Sequence, residues 1–105
     1  MERDLYLELL ELFIRDTTPL IKEICTAVET ENMTDLIEAS HVLKGSSITL
    51  GADHLSHTAL QLETRAKGES TDDPSLLFSH VKQAWEDLKN FVEDHYPDIP
   101  IPTEE

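Results

Sequence analysis

The 105-residue chain has one cysteine, three glycines, five prolines and only 6% aromatic residues. Single-cysteine usage excludes an intrachain disulfide framework and a cysteine-rich zinc site, and with them most small secreted scaffolds. Cations are scarce too: 8 Lys and Arg stand against 22 Asp and Glu, for a formal charge of −14. Scattered cations under a strongly negative field cannot track a phosphate backbone, so nucleic acid and anionic membranes are excluded as partners. No apolar run approaches the length needed to span a bilayer. The opening MERDLYLELLELF lacks the basic-then-apolar layout of a secretory signal, which predicts a cytoplasmic protein.

What is present is helical periodicity. The apolar residues (39% of the chain) recur at spacings of three and four, and they suffice for one modest core in one domain. A first helix is expected from about Arg3 to Asp16, with Leu5, Leu9, Leu12 and Phe13 inward. Thr17-Thr18-Pro19 then reads as a cap and a proline at a first helical position, opening a second helix to about Thr30. Leu20, Ile21, Ile24 and Val28 form its inner stripe, with Cys25 at the margin as a small hydrophobe. A third helix runs from Thr34 to Gly51, a left-handed cap residue. A fourth begins near Asp53 and stops at Gly68, with Ala52, Leu55, Ala59, Leu62 and Ala66 at helical spacing. A fifth runs from Pro74 to His95, carrying Leu77, Val81, Ala84, Leu88, Phe91 and Val92. Residues 97–105, with Pro97, Pro100 and Pro102, cannot be helical and read as a flexible tail or linker start beyond a domain over 1–96. The fold expected is all-α, an antiparallel up-down four-helix bundle with an additional N-terminal helix packed across or capping it.

Chemistry concentrates on the third helix, at Ala39-Ser40-His41-Val42-Leu43-Lys44-Gly45-Ser46-Ser47. At ~100° per residue, Leu36, Ser40, Leu43, Ser47 and Leu50 share the core-facing stripe, and His41 and Gly45 fall outward. Lys44 and Gly45, three and four residues on, are neighbours of His41 on the helix surface. A mid-helix glycine costs roughly 1 kcal/mol relative to alanine. On an outward face, its physical justification is a partner that must approach the backbone beside His41. No Ser-His-Asp or Cys-His arrangement is legible. An exposed, largely neutral imidazole beside an ammonium suits a nucleophile that receives a transferable anionic group.

The run His41-Val42-Leu43-Lys44-Gly45-Ser46-Ser47, followed by Gly51-Ala52 and Leu62-Glu63, closely resembles the histidine-containing phosphotransfer (HPt) domain of multistep two-component relays. Ser40 stands where the family often has alanine. The resemblance covers about Leu5 to Val92 and implies a helical bundle whose His41 is phosphorylated on its outer ring nitrogen. A receiver-domain phospho-aspartate would be the donor, and a second receiver aspartate the acceptor. By the same likeness, Lys44 stabilises the phosphoryl group and Gly45 leaves room for the receiver. Glu63 holds the imidazole or Lys44, or is simply a solvated surface residue.

In-line phosphoryl transfer needs charge neutralisation, mainly by a metal ion. With no metal cage legible here, Mg²⁺ and its acidic pocket are assigned to the receiver, and the chain itself to a co-substrate with no cofactor, not an enzyme. Lys44, Arg15, Arg65 and Lys67 are expected to offset the net charge at the contact face, and Ile37 and Ile48 to form an apolar docking rim or pack under the first helix. A hybrid histidine kinase, in cis or in trans, is a further expected partner, and a monomer the expected state. His54 and His57, three apart, could bind a metal only with a third ligand. His80 and His95 read as surface or boundary residues, and Trp85 as bundle packing. Glu2, Asp4, Glu8 and Glu11 read as a solvated face. The competing readings are the phospho-accepting domain of a chemotaxis-type kinase, a non-catalytic helical interaction module and a metal-dependent enzyme.

Overall fold

A computed structural model describes residues 4–102. Four helices, and no strand among the described residues, follow in order: α1 (Leu5–Glu29), α2 (Met33–Leu50), α3 (Asp53–Ala66) and α4 (Pro74–His95). Short connections force successive helices to reverse direction, and each packs on two neighbours in a closed ring, α1 on α2, α2 on α3, α3 on α4 and α4 on α1. No described helix is long and apolar enough to cross a membrane.

The expected first and second helices are one. Pro19 lies inside α1 rather than at a start. Its missing N–H leaves the carbonyl of Arg15 without a helical donor, and nearby Thr18 Oγ1 donates to the carbonyl of Ile14 at 2.9 Å. Packing holds the helix straight through: Phe13, Ile14, Thr17, Ile21 and Ile24 are all buried, on both sides of the proline. No separate N-terminal helix therefore crosses the bundle; α1 is one of its four members. The expected start at Arg3, and Glu2 of the acidic face, lie outside the described residues.

The inner face of α1 also differs from expectation. Leu10, Phe13, Ile14 and Thr17 are inward, whereas Leu5, Leu9 and Leu12 are exposed. On α4, Phe91 is half exposed and stacks on His95 at 4.1 Å instead of entering the core. Trp85 does enter it, edge-on to Phe13 at 6.2 Å.

The remaining boundaries follow the local chemistry. Asn32 caps α2, its side-chain oxygen accepting from the Asp35 N–H at 3.1 Å. Gly51 ends α2 at φ 86°, a conformation that suits glycine. Asp73 caps α4, with Pro74 following at its first turn.

Residues 97–102, read from sequence as the start of a flexible tail, instead lie against the bundle. Ile99 is 4% exposed within the core cluster, and Ile101 packs on it half-buried. The closing Glu104 and Glu105 lie outside the described residues. Ile99→Ala should therefore cost about 2–5 kcal/mol, read as a lower midpoint in urea unfolding. A midpoint equal to the parent's would show that Ile99 contributes nothing to the core.

Candidate functional site

The core stripe on α2 is the one the helical wheel gives. Leu36, Ser40, Leu43 and Ser47 are buried, and Leu50 is half-buried. The two buried serines on this helix need little room, and Ser40 satisfies its hydroxyl by donating to the Leu36 carbonyl one turn back. With that face committed inward, His41 stands outward, its side chain 64% exposed.

Glu63 of α3 meets it. This carboxylate is almost sealed, 3% exposed, where the bundle's α2 and α3 touch. Its Oε2 is 2.8 Å from Nδ1 of His41 and 3.3 Å from Nζ of Lys67, and its Oε1 is 2.8 Å from Nζ of Lys44. Burial pushes the Glu63 carboxyl up. The hydrogen bonds from Lys44, His41 and Lys67 outweigh it and bring the group down to about 2.

An ionised carboxylate only accepts hydrogen bonds, so His41 Nδ1 must carry the hydrogen and donate it. The neutral ring then has its lone pair on Nε2, on the side away from Glu63. The geometry therefore selects one tautomer and turns the nucleophilic nitrogen outward. Two ammoniums against one carboxylate leave the cluster at least one positive charge in excess, on a chain of net charge −14.

Gly45 lies on the exposed side of α2. A Cβ built there meets no atom within 4 Å, and the residue has ordinary helical φ. Neither internal packing nor backbone conformation demands glycine at this position.

Other sequence candidates separate from this cluster. Glu63, read from sequence as holding the imidazole or Lys44 or else as solvated, is buried and contacts both of them. Ile48 is exposed, as a docking rim requires, whereas Ile37 packs half-buried on the core. Arg15 is exposed beside Asp16 at 3.7 Å and has no bond to the cluster. Arg65 is turned to its own loop, Nε donating to the Asp72 carbonyl at 2.7 Å. His54 and His57 are both exposed on α3. Cys25 is half-buried, and burial, with Glu29 beside it, pushes its thiol up, the behaviour of an unreactive cysteine.

Sequence reasoning missed one surface. An open groove of about 450 Å³ runs between α1 and α2, lined by Leu9, Leu12, Leu20, Val42 and Ser46 among others. Leu9, Leu12 and Val42 expose apolar side chains there, and Val42 and Ser46 each adjoin His41 or Gly45 in sequence. The signal was the excess of apolar residues around α1, more than one inward stripe can absorb.

An outward imidazole on a helical bundle, with cations at its foot, is an arrangement that suits a nucleophilic histidine receiving an anionic group. The Hpt domain family matches residues 8–91, and the chain belongs to that family. Phosphorelay protein LuxU of Vibrio vulnificus is 38% identical over 66 residues, covering 62% of this chain and 57% of that protein. Histidine-containing phosphotransfer protein 2 of Oryza sativa subsp. japonica is 32% identical over 85 residues, covering 79% of this chain and 57% of that protein. The chain thus spans somewhat over half the length of these relatives. No solved structure matches it.

The linkage sign of the Glu63 shift is testable. A carboxyl lowered from 4.5 to about 2 contributes stability that is fully present above pH 4.5 and is lost as pH falls towards 2. Protonating the many other carboxylates relieves charge repulsion over the same range, so wild type must be compared with Glu63→Gln. The stability advantage of wild type over Glu63→Gln should be constant above pH 5 and shrink steadily below it in urea unfolding. An advantage that does not change with pH would mean that Glu63 is not held ionised by its neighbours.

Proposed function

We propose that this protein is a phosphocarrier of a multistep phosphorelay: His41 Nε2 takes a phosphoryl group from the phospho-aspartate of one receiver domain and gives it to the aspartate of another. The observation that carries this reading is the 2.8 Å contact between His41 Nδ1 and the buried Glu63 carboxylate, which leaves the Nε2 lone pair outward. The likeness to a phosphorelay protein and to a histidine-containing phosphotransfer protein supports it.

In the step itself, the lone pair on Nε2 forms the N–P bond as the acyl-phosphate P–O bond breaks, and the receiver's carboxylate leaves. No proton has to move for this. The ring gains a formal positive charge while keeping hydrogen on Nδ1, and Glu63 accepts that hydrogen bond throughout. Lys44 Nζ, which has three donors and sits one turn from His41, can serve an oxygen of the incoming phosphoryl group. The metal ion that phosphoryl transfer needs is assigned to the receiver, so the chain acts as a co-substrate.

The receiver docks, in this reading, across the outward face of α2 and the groove beside it. The exposed Leu9, Leu12 and Val42 supply apolar contact, Gly45 admits the receiver's edge, and the local positive excess favours its acidic pocket. A plain interaction module would use the groove but would not need an ionised carboxylate sealed behind a histidine.

Incubation with a radiolabelled phospho-receiver tests the chemistry. Label that is stable to base, labile to acid and absent from His41→Gln is the expected result; no label from any receiver of the source cell would reject it. Gly45→Glu tests the docking face, because open space around that position leaves the bundle intact while the side chain obstructs the approach. Its melting temperature should stay close to the parent's while the transfer rate falls at least about tenfold, since a like charge at the contact face repels the receiver's carboxylates. Undiminished transfer would remove Gly45 from the interface.

A further inference from the structure

Two lysines share Glu63, and they are not equivalent. Lys44 comes from α2, the helix of His41, and reaches Oε1 at 2.8 Å. Lys67 comes from α3, four residues after Glu63 on the same helix, and reaches Oε2 at 3.3 Å, the oxygen that also accepts from His41. Its backbone is tied into the end of α3, where the Lys67 N–H donates to the Glu63 carbonyl at 3.0 Å. A cation at a helix C-terminus is also favoured by the helix dipole.

These positions imply a division of labour. A phosphoryl group arriving on Nε2 brings new negative charge beside His41, and Lys44, one helical turn away, is the ammonium placed to answer it. If Lys44 were the sole counterion of Glu63, every such turn would strip a buried carboxylate of its charge partner, an unfavourable state. Lys67 removes that conflict, because its contact with Glu63 is local to α3.

We propose that Lys67 is a positioning residue for phosphoryl transfer: it keeps Glu63 ionised and seated on His41 Nδ1 while Lys44 leaves Oε1 for the phosphoryl oxygens. The inference rests on His41 being the phosphoryl acceptor. Lys67 acts only through Glu63 and touches neither the phosphoryl group nor the receiver.

A double-mutant cycle separates this from a direct role. Transfer from a phospho-receiver should slow about tenfold in Lys67→Met, as it does when support groups behind a functional histidine are removed. Lys67→Arg, which restores a cation, should recover most of the rate. In a Glu63→Gln background, Lys67→Met should slow transfer no further. Equal slowing in both backgrounds would show that Lys67 meets the receiver or the phosphoryl group itself, and no slowing in either would show that it is idle; both overturn the proposal.

A second measurement needs no receiver. Two-bond ¹H–¹⁵N correlation of the His41 ring should show the Nδ1–H tautomer dominant in Lys44→Met, where Lys67 is the ammonium left on Glu63, and depleted when Lys67→Met is added. An unchanged tautomer ratio would overturn the proposal. Failure of wild type to accept label from any receiver would instead strike the phosphocarrier reading, leaving the tautomer measurement to judge Lys67 by itself.

Discussion

A carboxylate withdrawn from water between two helices must be fully paired, and that requirement organises this protein's flank. Glu63 is held by one hydrogen bond to an imidazole and by ion pairs to two ammoniums, drawn from both α2 and α3. Its pairing therefore holds only if the two helices keep one register. The turn between them sets it: Gly51 takes the left-handed conformation and Ala52 N–H returns to the Ser47 carbonyl at 2.8 Å. A glycine outside the cluster thereby helps to decide where Glu63 meets His41. The same pairing fixes the ring in one tautomer, so a packing constraint and a chemical one are met by the same bond.

The parts of this arrangement legible in the sequence are those governed by local rules. Leu36, Ser40, Leu43 and Ser47 repeat at helical spacing along one face of α2, so the outward placement of His41 and Gly45 follows from the wheel alone. Gly51 and the Asp73-Pro74 pair mark helix ends for reasons confined to a few residues. The path of α1 is different. Thr17-Thr18-Pro19 has the local form of a helix start, yet Phe13 and Ile14 before it and Ile21 and Ile24 after it share one buried face, and that long-range burial overrides the proline. The inward stripe was misread because Leu5-Leu9-Leu12 and Leu10-Phe13-Ile14 each fit a helical period; only the neighbours in three dimensions choose between them. Ile99 could not be placed from its proline-rich surroundings, since docking on the core depends on where the bundle ends, not on the segment itself.

Glu63 marks the boundary between the two kinds of information. Its pairing with the histidine motif spans 22 residues of sequence, and nothing local tells a buried carboxylate on α3 from a solvated one. The spacing of Glu63 and Lys67, one helical turn apart, was the readable sign that the carboxylate has a partner of its own. Lys67 was instead assigned to the contact face, because a strongly acidic chain invites the reading that each cation near the site serves the partner.

Where this molecule departs from what stability alone would choose, the departures lie together. Gly45 weakens a helix without any packing or conformational need. Glu63 and its partners form an ionic cluster that well-packed apolar side chains, replacing every member together, could match in stability. Leu9, Leu12 and Val42 leave apolar surface in water along the groove between α1 and α2. None of these choices improves the bundle, and the residues involved lie on or beside the flank that presents His41. A fold that follows local and packing rules through most of its length and breaks them together around one imidazole is shaped there by function rather than by stability. The chemistry of that flank, an outward lone pair over a net positive cluster, is what the proposed reading requires for a phosphoryl group presented on an acidic surface.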